Sequence, residues 1–90
     1  IAKIFGNRVD LGALENLMRK KGYKIACHSD DKKIFIYMEK NYEKKRLINI
    51  ISKITTFSVR SFEVIKLKYF PRTPNKKISY NELKKINVKL

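Results

Sequence analysis

Across Lys33 to Glu39, the apolar residues Ile34, Ile36 and Met38 recur at every second position. That period puts alternate side chains of an extended chain on opposite faces and these three on one face, which has to be covered. Tyr23 to His28 reads as the partner strand, and the polar run Ser29-Asp30-Asp31-Lys32 as the turn between them, so the pair predicts an antiparallel hairpin. A chain of 90 residues can bury only one modest core around such a hairpin, which makes residues 1–90 a single domain.

The remaining elements follow from local signals. Lys3 to Val9 carries a Gly6-Asn7 turn between short apolar-bearing arms, a small hairpin or bent strand. Asp10 offers an N-cap to a helix on which Leu14, Leu17 and Met18 share a face. Arg19, Lys20 and Lys21 crowd its last turn, and Gly22 suits its stop. Between Tyr42 and Ile54, Leu47, Ile48, Ile51 and Ile54 keep helical spacing behind the polar start Glu43-Lys44-Lys45-Arg46. Thr55 to Arg60 has no clear period, whereas Phe62 to Leu67 is rich in strand-forming types and predicts a third main strand. Pro71 and Pro74 exclude regular helix and central strand from the segment through Lys77, which reads as an exposed loop. Ser79-Tyr80-Asn81-Glu82 fits a capping box ahead of Leu83 and Ile86, so a short helix closes the chain. The order predicts an α+β fold: a small, mostly antiparallel sheet with about three helices packed on it, plus a short N-terminal hairpin.

The apolar content of 43% and the five Phe and five Tyr are enough for a packed core, unlike a disordered chain of similar charge. Seventeen Lys and five Arg against eight acids give a formal charge of +14, a field that attracts anionic partners. Bidentate recognition of phosphate or guanine favours arginine, so the lysine excess reads mainly as solvated surface. That includes Arg19-Lys20-Lys21 and Lys44-Lys45-Arg46, whose functional alternative is a landing surface for coenzyme phosphates or an acidic carrier protein. Cys27 stands alone, so no internal disulfide can form, and with His28 it falls short of a structural zinc site. Cys27 reads as a small apolar side chain, and a reducing, cytoplasmic setting is the default. No apolar run approaches the roughly 20 residues of a membrane helix, and no signal-peptide pattern opens the chain. The start at Ile1 in place of Met suggests an excised fragment. Tyr37, Tyr42 and Phe57 read as core or rim packing ahead of base stacking.

Two stretches together carry a resemblance. Lys3-Ile4-Phe5-Gly6-Asn7-Arg8-Val9-Asp10-Leu11-Gly12-Ala13-Leu14-Glu15 resembles K-I-x-G-x-R-I-E-L-G-E-I-E, with Asp10 and Ala13 in place of two usual glutamates. Pro71-Arg72-Thr73-Pro74-Asn75-Lys76-Lys77-Ile78, followed by Leu83, resembles P-x-T-x-x-G-K-I and the leucine of the next helix. Both patterns, in this order and separation, are similar to the C-terminal domain of acyl-adenylate-forming enzymes: acyl-CoA synthetases, peptide-synthetase adenylation domains and luciferase-like ligases. The likeness spans about residues 3 to 86. Lys76 departs from it, since the family usually has glycine there, and a bulky residue narrows the backbone conformations open to the loop.

The resemblance implies a mobile domain of an ATP-dependent, AMP-forming acid-thiol ligase, with Lys77 as the catalytic lysine. Gly6 and Arg8 would be cofactor-contacting: Gly6 beside the pantetheine arm of coenzyme A or of a carrier protein, Arg8 beside nucleotide or pyrophosphate oxygens. Glu15 would anchor its segment structurally. The cofactors implied are ATP with Mg2+, bound mainly by an absent N-terminal domain, and coenzyme A or carrier-protein pantetheine. The partners implied are that N-terminal domain, a carboxylic acid and an acyl carrier protein, with no membrane, no metal site of its own and no nucleic acid. Isolated, the domain would be inactive. The bland reading of Lys77 is one solvated lysine among seventeen, and of Gly6 an ordinary turn residue. Two other functions remain open: a small basic nucleic-acid-binding domain, motivated by the charge, and a non-catalytic interaction module, motivated by Lys76.

Overall fold

The computed structural model of the chain describes residues 2–4, 7–30 and 32–88, with side chains described between residues 10 and 86. Its backbone begins with two short strands, β1 (Ala2–Ile4) and β2 (Asn7–Val9), paired antiparallel with Ala2 opposite Val9. Gly6, on which the expected turn was placed, lies outside the described residues.

Helix α1 (Leu11–Lys20) starts and stops where its sequence signals lie. Asp10 Oδ1 accepts from the Ala13 amide at 3.0 Å, satisfying one of the donors that a helix start leaves without a partner. At the other end, the Gly22 and Tyr23 amides donate to the carbonyls of Arg19 and Met18 at 3.0 and 2.9 Å. This is a Schellman closure, and it needs the left-handed φ of +94° that Gly22 adopts without a Cβ penalty.

The sheet consists of β3 (Ile25–Ser29), β4 (Ile34–Met38) and β5 (Phe62–Lys66), in the order β3-β4-β5. β3 and β4 form the expected antiparallel hairpin, with Cys27 opposite Ile36. Its turn is fixed by Asp30, whose Oδ1 accepts from the amides of Lys32 and Lys33 at 2.8 and 2.7 Å. β5 lies parallel to β4, Ile36 opposite Val64. Parallel neighbours need a crossover, and α2 (Lys44–Thr55) supplies it. A single 3-10 turn, Val59–Ser61, leads from α2 into β5 and is capped by Ser58, in the stretch where the sequence shows no period.

Both faces of the sheet are covered. On one, Ile34, Ile36 and Met38 join Leu14 and Met18 of α1 and Leu47 and Ile51 of α2 in the larger core. On the other, Phe35 and Tyr37 pack with Ala26, Phe70 and Leu83, the last from α3 (Tyr80–Val88). Alternation alone accounted for only the first face. The residues between, Phe35 and Tyr37, are also apolar, so β4 is buried along its whole length, as a central strand with helices on both sides should be. The Tyr37 hydroxyl donates to the Leu83 carbonyl at 3.1 Å, giving a fully buried phenol a polar partner and tying α3 to the sheet. The architecture is the expected α+β fold, three helices on a three-stranded sheet.

Candidate functional site: the loop bearing Lys77

Residues 71–79 form a small hydrogen-bonded loop. The Thr73 amide donates to the Lys77 carbonyl at 2.7 Å, the Lys76 amide to the Thr73 carbonyl at 2.8 Å, and the Ser79 amide to the Pro71 carbonyl at 2.8 Å. Arg72 and Ile78 face each other in an antiparallel bridge. Pro74 occupies the second position of the Thr73–Lys76 turn, where its fixed φ is suited. Thr73 Oγ1 also accepts from the Lys77 amide at 3.3 Å, and Arg72 Nη1 donates to the Lys76 carbonyl at 3.1 Å. These bonds hold the loop in one shape without covering it.

Alternation within this bridge decides where Lys77 points. Ile78 turns inward against the smaller core, so its neighbour Lys77 faces outward and is exposed. Lys76 closes the turn at φ +67°, one of two non-glycine residues with left-handed backbone among those described. The sequence reading expected this side chain to restrict the loop, and the position does require the conformation that glycine adopts most cheaply.

Both ends of the loop are fastened by carboxylates. At its start, the buried Phe70 donates its amide to Glu39 Oε2 at 2.6 Å. At its end, the Tyr80 hydroxyl reaches Glu15 on α1, at 2.8 Å from Oε1 and 2.9 Å from Oε2. Glu15 Oε2 also accepts from the Cys27 amide at 2.7 Å, so one carboxylate joins α1, β3 and α3. Glu15 is therefore the structural anchor it was expected to be. Partial burial pushes its carboxyl above the ordinary glutamate range, against the opposing pull of the Cys27 amide, the Tyr80 hydroxyl and Arg19. Burial, then the Glu15 charge, push the Tyr80 phenol and the Cys27 thiol upward, which keeps both protonated at neutral pH. The capping box of α3 is half formed. Ser79 Oγ accepts from the Glu82 amide at 3.4 Å, but the Ser79 amide is taken by Pro71, so Glu82 pairs with Lys85 at 3.2 Å instead.

Of the other residues singled out in the sequence, Gly6 lies outside the described residues, and Arg8 is described only as backbone in β2. Nothing described brings either of them to Lys77. Cys27 is buried and apolar in its packing. His28 stacks on Phe35, with ring centroids 6.4 Å apart, and burial and then Lys84 push its imidazole below the ordinary range while Asp30 opposes. Tyr37 is fully buried and offers no face to a base, while Tyr42 accepts from the Lys24 amide at 2.9 Å and meets Tyr23 edge-on. The basic runs at 19–21 and 44–46 are exposed. On the α2 side, away from the loop, Lys45, Ile48, Asn49 and Val59 line an open hollow of about 260 Å³. Among the described residues, no three His, Cys, Asp or Glu stand close enough to share a metal ion. No described helix is long and apolar enough to cross a membrane. Sequence reasoning missed Phe70, Glu39 and Tyr80 as the loop's fastenings, and Tyr69, which is 70% exposed beside the loop's start. No local sequence signal pairs Phe70 with Glu39 or Tyr80 with Glu15, which lie 31 and 65 residues apart.

Compared with known proteins, the chain matches no family model and no curated sequence.

Two outcomes check this geometry. A β-branched residue is strained in the left-handed region, so Lys76→Val should cost about 1–3 kcal/mol. Lys76→Gly should stay within about 1 kcal/mol of wild type, because relief of strain offsets the freedom glycine adds to the unfolded chain. Urea denaturation of both variants measures this, and equal stability for the two would remove the assigned φ. The second concerns pH. Glu15 binds its proton more readily folded than unfolded, so stability should fall as pH rises from the ordinary glutamate range through the raised folded value. Glu15→Gln should lose that slope. The difference between the wild-type and variant stability curves, from which Asp30 and the other acids cancel, should then fall as pH rises across this window, and a flat difference would contradict the raised Glu15 value.

Proposed function

We propose that this chain is the mobile C-terminal domain of an ATP-dependent carboxylate ligase, with Lys77 as the cation that serves acyl-adenylate formation. The observation that carries the reading is the placement of Lys77. Lys77 is exposed on a hydrogen-bonded, proline-flanked loop that resembles P-x-T-x-x-G-K-I. The left-handed Lys76 adds support, because it falls where that pattern carries glycine, the residue such a backbone favours.

The chemistry follows from charge. Joining a carboxylate to the α-phosphate of ATP brings two anions together, and the mutual repulsion raises the barrier. A cation held between them offsets it, more strongly once water is excluded by a closed domain interface. Lysine suits this role as a compact point charge on a long stem, acting by electrostatics and not as a base. The products are acyl-adenylate and pyrophosphate. Rotation of the domain would then withdraw Lys77 and present the segment around Gly6 and Arg8 for thioester formation with coenzyme A or a carrier protein. The loop exposes Lys77 beside Arg72 and Lys76, and by the resemblance ATP and Mg2+ would be held mainly by a partner domain that Lys77 reaches from outside. That fits a contributed residue, and not a self-contained nucleotide site.

In the protein that carries both domains, Lys77→Ala should abolish carboxylate-dependent pyrophosphate exchange while sparing thioester formation from supplied acyl-adenylate. Equal damage to the two half-reactions would count against the assignment.

A further inference from the structure

We infer that Tyr80 is a positioning residue, whose hydroxyl, clipped to Glu15, sets the direction in which the loop presents Lys77. The consequence for catalysis rests on the ligase reading, whereas the clip itself rests on geometry alone. Tyr80 opens α3 only three residues after Lys77, and its hydroxyl bonds both oxygens of Glu15 at 2.8 and 2.9 Å. Glu15 cannot drift with it, because its Oε2 is held by the Cys27 amide at 2.7 Å, on a strand whose side chain at that position is buried.

The hydroxyl is not needed to dock the helix. Leu83 is fully buried against the sheet and its carbonyl already receives the Tyr37 hydroxyl. The Tyr80 ring is 40% exposed, so it contributes modest packing. What the bond adds is a polar attachment at the first residue of the helix, on the side away from the apolar contacts. Ile78, Leu83 and Ile86 hold the apolar side of this segment on the smaller core, but none of them fixes its outer edge. The Tyr80 bond to Glu15 ties that edge to α1 and limits tilting of the first turn of α3 with the loop ahead of it. The start of the loop is fixed in the same manner by the Phe70 amide on Glu39. Lys77 thus sits between two carboxylate clips, one on α1 and one just past β4. Neither carboxylate forms an ion pair with a described lysine. Each is engaged with the groups that hold the loop, and the Lys77 ammonium is left exposed for a partner.

Tyr80→Phe tests the clip, since it removes one oxygen and keeps the ring. Amide hydrogen exchange should quicken about tenfold at Thr73 and Lys77, whose bonds close the loop, while the amides of β4 exchange as in wild type. Glu15→Gln, which keeps the side chain's shape and loses its charge, should give the same local pattern more weakly. Unchanged exchange in the loop would overturn the inference, as would a parallel rise in β4, which would make Tyr80 a contributor to global stability only. In the two-domain protein, Tyr80→Phe should lower carboxylate-dependent pyrophosphate exchange on the order of 10- to 100-fold, as small misplacements of a catalytic group do. Thioester formation from supplied acyl-adenylate should be spared, which a merely structural role would not achieve. If Lys77→Ala abolishes exchange and Tyr80→Phe leaves it intact, Tyr80 does not position Lys77. If Lys77→Ala itself leaves exchange intact, the ligase reading fails, and the clip stands or falls on amide exchange alone.

Discussion

The carboxylate of Glu15, shared between the Cys27 amide and the Tyr80 hydroxyl, holds together three elements that are distant in the chain. β3 is an edge strand, and an outward amide there would otherwise be left to water or to a stray strand. By capping it, Glu15 protects the sheet edge and lends the same oxygens to the start of α3. The arrangement has an energetic cost, visible in the upward push on the Glu15 carboxyl, which the hydrogen bonds only partly offset.

This use of an acid recurs. Asp10, Asp30 and Glu39, like Glu15, accept from backbone amides: at the start of α1, in the β3–β4 turn, at the sheet edge and at the start of the loop. In a chain with 22 basic residues and eight acids, half of the acids are thus committed to fixing backbone. Among the described residues only Glu82 forms an ion pair, an exposed one with Lys85 that contributes little. The large positive charge is therefore left uncompensated on the surface, where it can steer anionic partners toward the domain. Charge alone gives no selectivity among those partners. Selectivity requires a cation held in a defined place; the loop between the Glu39 and Glu15 clips fixes the backbone of Lys77, which is where the proposed role places that cation.

Much of the scaffold was legible because its signals are local. Asp10 and Gly22 bracket α1 by capping chemistry, Asp30 closes the hairpin, and Pro71 with Pro74 mark the loop. The partnership of Phe35 and Tyr37 with α3 was not legible from one-face alternation, because the second face of β4 is defined by a helix almost fifty residues later. The parallel placement of β5 depends on the crossover through α2, which strand propensity does not encode. At the candidate site, Lys76 stood out only as a departure from the glycine of the pattern it resembles, and the structure adds its left-handed φ. The exposed loop followed from the two prolines. The clips did not, since Glu15 lies 65 residues before Tyr80 and Glu39 lies 31 before Phe70, and no spacing rule links such pairs. Arg8 and Gly6 remain readings of the sequence, beyond the described side chains.

Adjacent lysines of opposite fate give the most direct measurement. In the two-domain ligase proposed above, lysine acylation mapped by mass spectrometry should show Lys77 shielded when ATP and the carboxylic acid are both present, with Lys76, Lys20 and Lys45 still labelled. If Lys76 and Lys77 are labelled equally in every state, or if an oligonucleotide shields the exposed lysines broadly while ATP and acid shield none, Lys77 is not delivered to an adenylation site.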